Sequence, residues 1–428
     1  LPVGLLLLVA CQQNQTPSST NEEKMNYPQT RKDSTVDTYF GTQVADPYRW
    51  LEDDRSAETA AWVKAQNTFT FDYLSKIPYR QTIKEKLEKL WNYEKIGSPF
   101  VEGDYTYYYK NDGLQNQSVL YRKDKDGKEE VFLNPNTFSA DGTTSLATVA
   151  FTEDGSLVAY LISEGGSDWR KGIVLDAKTK KQIGETLVDI KFSGIAWKGN
   201  EGFYYSSYDK PKGSELSAKT DQHKLYYHNL GTPQSQDVLV FGGTPAEKYR
   251  YVSGSVSDDG TYLFISAANA TSGNKLFVKD LTKPNAPLVT ITDSFDGDTS
   301  FVSNQGTTFF LETNLNAPNG RLVKVEAKNP QPAHWQDVIA ETDNVLSIST
   351  AGEYLFAHYM VDALSKVKQY DYTGKLVREV QLPNIGTASG FHAKKKETHT
   401  YFTFTNYATP SSIYKMDLAS GAIEQYWK

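Results

Sequence analysis

The chain has 428 residues, 45 of them Lys or Arg and 52 Asp or Glu, giving a formal net charge of −7, with 39% hydrophobic and 13% aromatic residues. That length and composition fit a globular protein of two or three domains, or one large architecture with an appendage, and exclude a small staple-dependent fold. The acidic balance is spread along the chain and leaves no basic stripe of the kind that displaces counterions from nucleic acid. Nucleic acid is therefore not an expected partner, and the short run Lys394-Lys395-Lys396 reads as a solvated turn.

In chain order, residues 5–10 form an apolar run closing in Leu8-Val9-Ala10-Cys11, followed by a Gln-, Ser-, Thr- and Asn-rich stretch over 12–21. This is similar to the tail of a bacterial lipoprotein signal, in which the cysteine receives the lipid. The run is too short to span a bilayer, which takes about 20 residues. Residues 1–11 then read as a signal remnant with Cys11 as the lipidation site, and 12–26 as a polar tether. The expected location is the bacterial cell envelope, either membrane-anchored through lipid alone or periplasmic. An ordinary secretory signal or a stray apolar start are the alternatives. As the single cysteine, Cys11 also excludes an internal disulfide and a thiolate metal cluster.

Helical signals come next, over 27–91. Trp62, Phe69, Tyr73 and Ile77 fall at helical offsets, with Ser56 available as an N-cap and Glu58 in the first turn. After Pro78, Ile83, Leu87, Leu90 and Trp91 make a second stripe. Asp46 and Glu52-Asp53-Asp54 read as turn and cap residues.

From about residue 92 the period becomes strand-like. Runs at 105–109, 158–162, 202–206, 262–266, 307–311, 354–358 and 400–404 are rich in Tyr, Phe, Val and Thr. Most are led by a turn glycine, at Gly103, Gly155, Gly199, Gly260, Gly306 and Gly352, with Lys395 in the seventh place; successive separations are 52, 44, 61, 46, 46 and 43 residues. A repeat of that size built from four short strands marks a propeller blade, and the span 92–428 allots about 48 residues to each of seven. The predicted fold is all-β, a seven-bladed β-propeller preceded by a short helical N-terminal segment; a pair of sandwiches or a solenoid are the alternatives. The 61-residue gap, holding the Gly, Ser, Lys and Asp cluster of 210–221, predicts a loop insertion on one face.

Motifs for catalysis are missing from these residues. No G-x-S-x-G is present: Gly165-Gly166-Ser167 lacks the trailing glycine, and Gly254-Ser255-Val256-Ser257-Asp258 does not fit the strained elbow a nucleophile needs. There is likewise no P-loop, H-E-x-x-H or dinucleotide fingerprint. A five-residue spacing within a strand puts His223 and His228 on opposite faces, unable to share a metal. No catalytic residue, metal site or cofactor is therefore assigned within the chain.

Particular segments carry a family likeness. Asp46-Pro47-Tyr48-Arg49-Trp50-Leu51-Glu52-Asp53 and Trp62-Val63-Lys64-Ala65-Gln66-Asn67 come first. They are followed by Asn111-Asp112-Gly113-Leu114-Gln115-Asn116-Gln117-Ser118-Val119-Leu120-Tyr121, Gly166-Ser167-Asp168-Trp169 and Lys191-Phe192-Ser193 with Ala196-Trp197. The last are Leu225-Tyr226-Tyr227-His228-Asn229-Leu230-Gly231-Thr232-Pro233-Gln234 and Ser411-Ser412-Ile413-Tyr414-Lys415-Met416-Asp417. From about Tyr27 onward the chain resembles the N-terminal segment and propeller of the prolyl oligopeptidases, a family of serine peptidases. The resemblance implies a propeller capping an α/β-hydrolase domain that carries the Ser-Asp-His triad and cleaves short peptides after proline. That domain is not found in this chain, which on this reading is truncated. Phe192 is implied at the rim of the proline pocket, where a flat apolar ring suits a residue with no N–H; a blade-core aromatic is the alternative. Tyr251 and Thr271 fall near two other pocket-lining positions of the family, a looser match, since this sequence departs there with Tyr251-Val252-Ser253 where the family shows small glycine-rich residues.

Three functions remain open at this stage. The first is the substrate-gating part of a peptidase, whose partners are short proline-containing peptides and a hydrolase domain in cis or in trans. The second is a stand-alone, surface-tethered propeller that binds peptides or proteins. The third is a propeller enzyme of another class, such as a sugar hydrolase, which would need two carboxylates across the channel mouth. Under the first reading Trp62, Phe69, Leu87 and Trp91 are covered by the hydrolase domain, and an exposed apolar patch is expected without it.

Overall fold

A computed structural model describes residues 25–211, 220–244 and 248–428; Cys11 lies outside them. The chain divides into two compact units, Leu1–Ile83 and Lys84–Lys428.

The first unit is built on helix α1, Ala57–Ser75, capped by Ser56, whose Oγ accepts from the Thr59 N–H at 3.0 Å. The segment around residues 27–31 lies along this helix. Tyr27 meets Phe69 with ring centroids 4.9 Å apart, the Trp62 indole donates to Thr30 Oγ1 at 2.9 Å, and the Arg31 guanidinium lies over Trp50. Trp62 and Phe69 are therefore half-buried, and the apolar patch expected there is covered by the chain itself. A two-stranded hairpin, Val36–Tyr39 with Thr42–Ala45, also belongs to this unit. Arg49 joins it to the following turn by pairing with Asp37 and Asp46. Helix α2, Arg80–Trp91, has no buried residue, and its Leu87, Leu90 and Trp91 stand exposed.

The second unit takes in α2 from Lys84 onward and is otherwise made up of seven antiparallel sheets. Each is a blade of four strands consecutive in sequence, the first blade having an extra short strand, Lys95–Ile96. Blade 1 runs from Phe100–Glu102 to Glu129–Leu133, blade 2 from Thr144–Phe151 to Gln182–Lys191, and blade 3 from Ala196–Lys198 to Val238–Phe241. Blade 4 runs from Tyr251–Val256 to Val289–Thr292 and blade 5 from Thr299–Gln305 to Gln336–Ile339. Blade 6 runs from Leu346–Ala351 to Leu376–Glu379 and blade 7 from Thr387–His392 to Ile423–Trp427. The seven repeated runs of the sequence are the second strands of the seven blades, and the six repeated glycines turn the chain between first and second strands, each with a positive φ. The stretch 210–221, where an insertion is expected, lies in the chain between strands Gly202–Ser207 and Lys224–Asn229 of blade 3, and its residues 212–219 are outside the described residues.

One sheet cannot bury both its faces, so the blades stack. Six apolar clusters fill the six seams between successive blades. Between blades 4 and 5, for example, Phe264 and Leu276 meet Phe309 and Val323; between blades 6 and 7, Phe356 meets Phe391 and Phe402. The seam from blade 7 back to blade 1 is joined differently. No strand crosses it, and Lys394 Nζ reaches the Glu102 carboxylate at 2.6 Å. The same ammonium donates to the Glu153 carbonyl of blade 2 at 2.9 Å, and Lys395 Nζ reaches across to the Asn304 carbonyl of blade 5 at 2.8 Å. The Lys394-Lys395-Lys396 run is thus not a solvated turn. It is the longest of the inner turns, placed where the blades converge, and two of its ammonium groups donate to acceptors on other blades.

Candidate functional site

Two features of the ring bear on function, one on each face. At the face of the inner turns a cavity of about 440 Å³ is lined by residues of blades 1, 2, 4, 6 and 7, among them Glu102, Glu153, Asp258, Asp259, His392 and Lys394. It is strongly charged. Burial pushes the Glu102 carboxyl up, against the pull of Lys394, and burial pushes the His392 imidazole down.

At the opposite face, where one blade passes to the next, aromatic rings gather. Phe192 directly follows the last strand of blade 2 and has φ +51, a conformation that L-residues adopt only rarely. Phe192 is 42% exposed, and Tyr251, the first residue of blade 4, is 40% exposed. Their centroids lie 6.1 Å apart, and Tyr208 packs edge-on to Phe192 at 6.2 Å. The buried Lys191 ammonium sits over both Trp169 and Phe192, at 4.8 and 5.2 Å. Below the rings lies His223, stacked on Tyr208 at 4.3 Å, with burial pushing its imidazole down to about 4. Burial, with Tyr251 nearby, also pushes the Tyr208 phenol up to about 12. Ser193 Oγ accepts from the Ser206 N–H at 2.7 Å and pins the turn after Phe192 to blade 3. The result is an apolar, aromatic surface on a rigid mount, able to hold a small flat apolar group by ring contact.

The family of prolyl oligopeptidase N-terminal β-propeller domains matches residues 27–428. The chain belongs to the prolyl oligopeptidase family. It is 58% identical over 412 residues to a prolyl endopeptidase of Elizabethkingia miricola, a match that covers 96% of this chain and 58% of that protein. A solved prolyl endopeptidase superposes with a TM-score of 0.85 at 29% identity, over 94% of this chain and 60% of the other. Prolyl oligopeptidase B of Galerina marginata, bound to a 35mer hydrolysis and macrocyclization substrate, superposes with a TM-score of 0.81 at 28% identity, over 94% and 60%. The chain thus spans about three-fifths of the relatives it matches.

Within this prolyl oligopeptidase propeller the structure brings Phe192 and Tyr251 together. Thr271 stands exposed on the bend between the second and third strands of blade 4, apart from the ring contacts of that pair. His223 precedes the third strand of blade 3, while His228 lies within it and binds Asp237 through Nδ1 at 2.7 Å; Tyr205 donates to the other oxygen of that carboxylate. Among the described residues no group of three or more His, Cys, Asp or Glu could hold a metal. A serine and a histidine do meet, Ser349 Oγ lying 2.9 Å from His358 Nε2, but Ser349 is buried in the middle of a strand at the seam of blades 6 and 7. It has no strained turn to present it to a substrate. Sequence reasoning passed over Tyr208 and weighed His223 only as a metal ligand; the one available signal was that both stand beside the stretch 210–221 of blade 3.

Proposed function

We propose that this chain is the substrate gate of a peptidase acting on short proline-containing peptides, with Phe192 and Tyr251 forming one wall of the proline pocket. The catalytic Ser-Asp-His set is supplied by an α/β-hydrolase domain, in cis or in trans. The observation that carries this reading is the aromatic pair exposed at the inter-blade face of a ring whose family is peptidolytic. The relatives' names support it, as does the bound peptide of the Galerina marginata enzyme. The exposed stripe of Leu87, Leu90 and Trp91 on α2 offers the hydrolase domain a surface to cover. The cell envelope, reached through lipid on Cys11, is the proposed location; among the described residues no helix is long and apolar enough to cross a membrane.

A blocked Gly-Pro reporter peptide tests the division of labour. This chain alone is expected to release no reporter, and the chain continued by the part of its Elizabethkingia miricola relative that it does not span is expected to turn it over with sensitivity to a serine reagent. Robust turnover by the chain alone contradicts the proposal. Silence in both forms with the peptide still bound favours the stand-alone binding module.

A further inference from the structure

Phe192 and Tyr251 come from different blades, so something must set the gap between them. His223 spans that gap from below and is 1% exposed. Its Nε2 lies 2.9 Å from the Lys191 carbonyl oxygen, and its Nδ1 accepts from the Val252 N–H at 2.7 Å. A carbonyl on one side and an N–H on the other require the neutral ring with its proton on Nε2. Lys191 immediately precedes Phe192, and Val252 immediately follows Tyr251. Two further ties hold the same stretch: the His223 N–H donates to the Tyr249 carbonyl at 2.8 Å, and the Tyr208 hydroxyl donates to the Arg250 carbonyl.

We infer that His223 is a positioning residue, which by tying the Lys191 carbonyl to the Val252 amide sets the spacing of Phe192 and Tyr251 and hence the affinity of the pocket they line. The inference rests on the reading of that pair as a proline pocket. His223 itself touches no ligand. Its leverage comes from Phe192, whose positive φ is a conformation L-residues seldom adopt and which the bond to the adjoining carbonyl helps to hold. Both bonds are shielded from water, so nothing replaces either of them when it is lost.

Three substitutions separate this role from simple space filling. His223→Asn keeps an acceptor near Val252, His223→Gln keeps a donor near Lys191, and His223→Phe keeps the shape and the stack on Tyr208 but neither bond. The probe is a fluorescent, N-blocked Gly-Pro-Ala peptide titrated into this chain, with hydrogen exchange at the Val252 amide as a second reading. His223→Phe is expected to weaken the probe about tenfold, with Asn and Gln between it and the parent, and to speed exchange at Val252 about tenfold or more, with Asn the least affected. Parent-like affinity in His223→Phe, with Asn and Gln worse, is the order that space filling predicts and overturns the inference. Parent-like protection of Val252 in His223→Phe overturns it as well.

Phe192→Ala distinguishes the two levels. If it leaves probe affinity unchanged, or if the parent binds no probe, the pocket reading fails, and Val252 exchange alone decides whether His223 holds the stretch. If Phe192→Ala weakens the probe and His223→Phe does not, the pocket stands and the positioning role falls.

Discussion

An alanine at position 155 is expected to destabilise the ring by about 3 kcal/mol or more, whereas the same change at Gly199 costs only about 1 kcal/mol. Both glycines turn the chain from first to second strand, and both have positive φ, +69 and +52. They differ in what an added Cβ would meet. At Gly199 nothing lies within 4 Å; at Gly155 the Cβ falls 2.2 Å from the Gly103 nitrogen and 2.6 Å from the Glu102 carbonyl carbon. These are backbone atoms of the neighbouring blade and cannot swing aside as a side chain would. Relief has to come from parting the inner turns of blades 1 and 2, which displaces Glu102 from Lys394 and loosens the one seam that lacks an apolar cluster. Urea unfolding of the two variants checks this. Equal losses at both positions would mean that backbone conformation alone sets the cost.

Acid is expected to weaken the fold between pH 6.5 and 4. Burial holds the imidazoles of His223 and His358 down at about 4, with the His392 ring adding to the effect at His358. Unfolding returns each to its ordinary value near 6.5, so across this window the unfolded chain binds more protons and stability falls as pH falls. Each ring contributes about 3 kcal/mol over the full interval. His392 and His399 are displaced in the same direction by burial. Glu102, Glu312 and Glu397 oppose them, because burial raises their carboxyls and the folded state takes up protons there first. With four imidazoles on one side, the urea midpoint is expected to drop from pH 7 to pH 4. In His358→Gln, which keeps a partner for Ser349, the drop is expected to be shallower. A midpoint that stays level or rises on acidification contradicts this.

The ring was legible because its repeat is imposed by local chemistry. Each first hairpin needs a left-handed turn, and six blades meet that need with glycine ahead of a strand of Val, Tyr and Phe. Blade 7 breaks the pattern with the longer turn around Lys395, and there the reading failed: a short basic run looks solvated until the fold places it at the axis. The hairpin turning at Phe40 and Gly41 was also missed, since its strands expose nearly every side chain and show no alternation. In the site, Phe192 came from family likeness and not from periodicity. His223 was hidden because its function is to link backbone atoms of residues 191 and 252, distant in sequence and joined only when blades 2, 3 and 4 are stacked.

Cleavage as a function of substrate size tests the gate most directly. The chain joined to a hydrolase segment is given one proline-containing decapeptide in two forms, free and displayed in an exposed loop of a folded domain. If a seven-bladed ring controls entry, the free peptide is cut after proline and the displayed one survives. Equal rates for the two forms would show that the ring does not govern access.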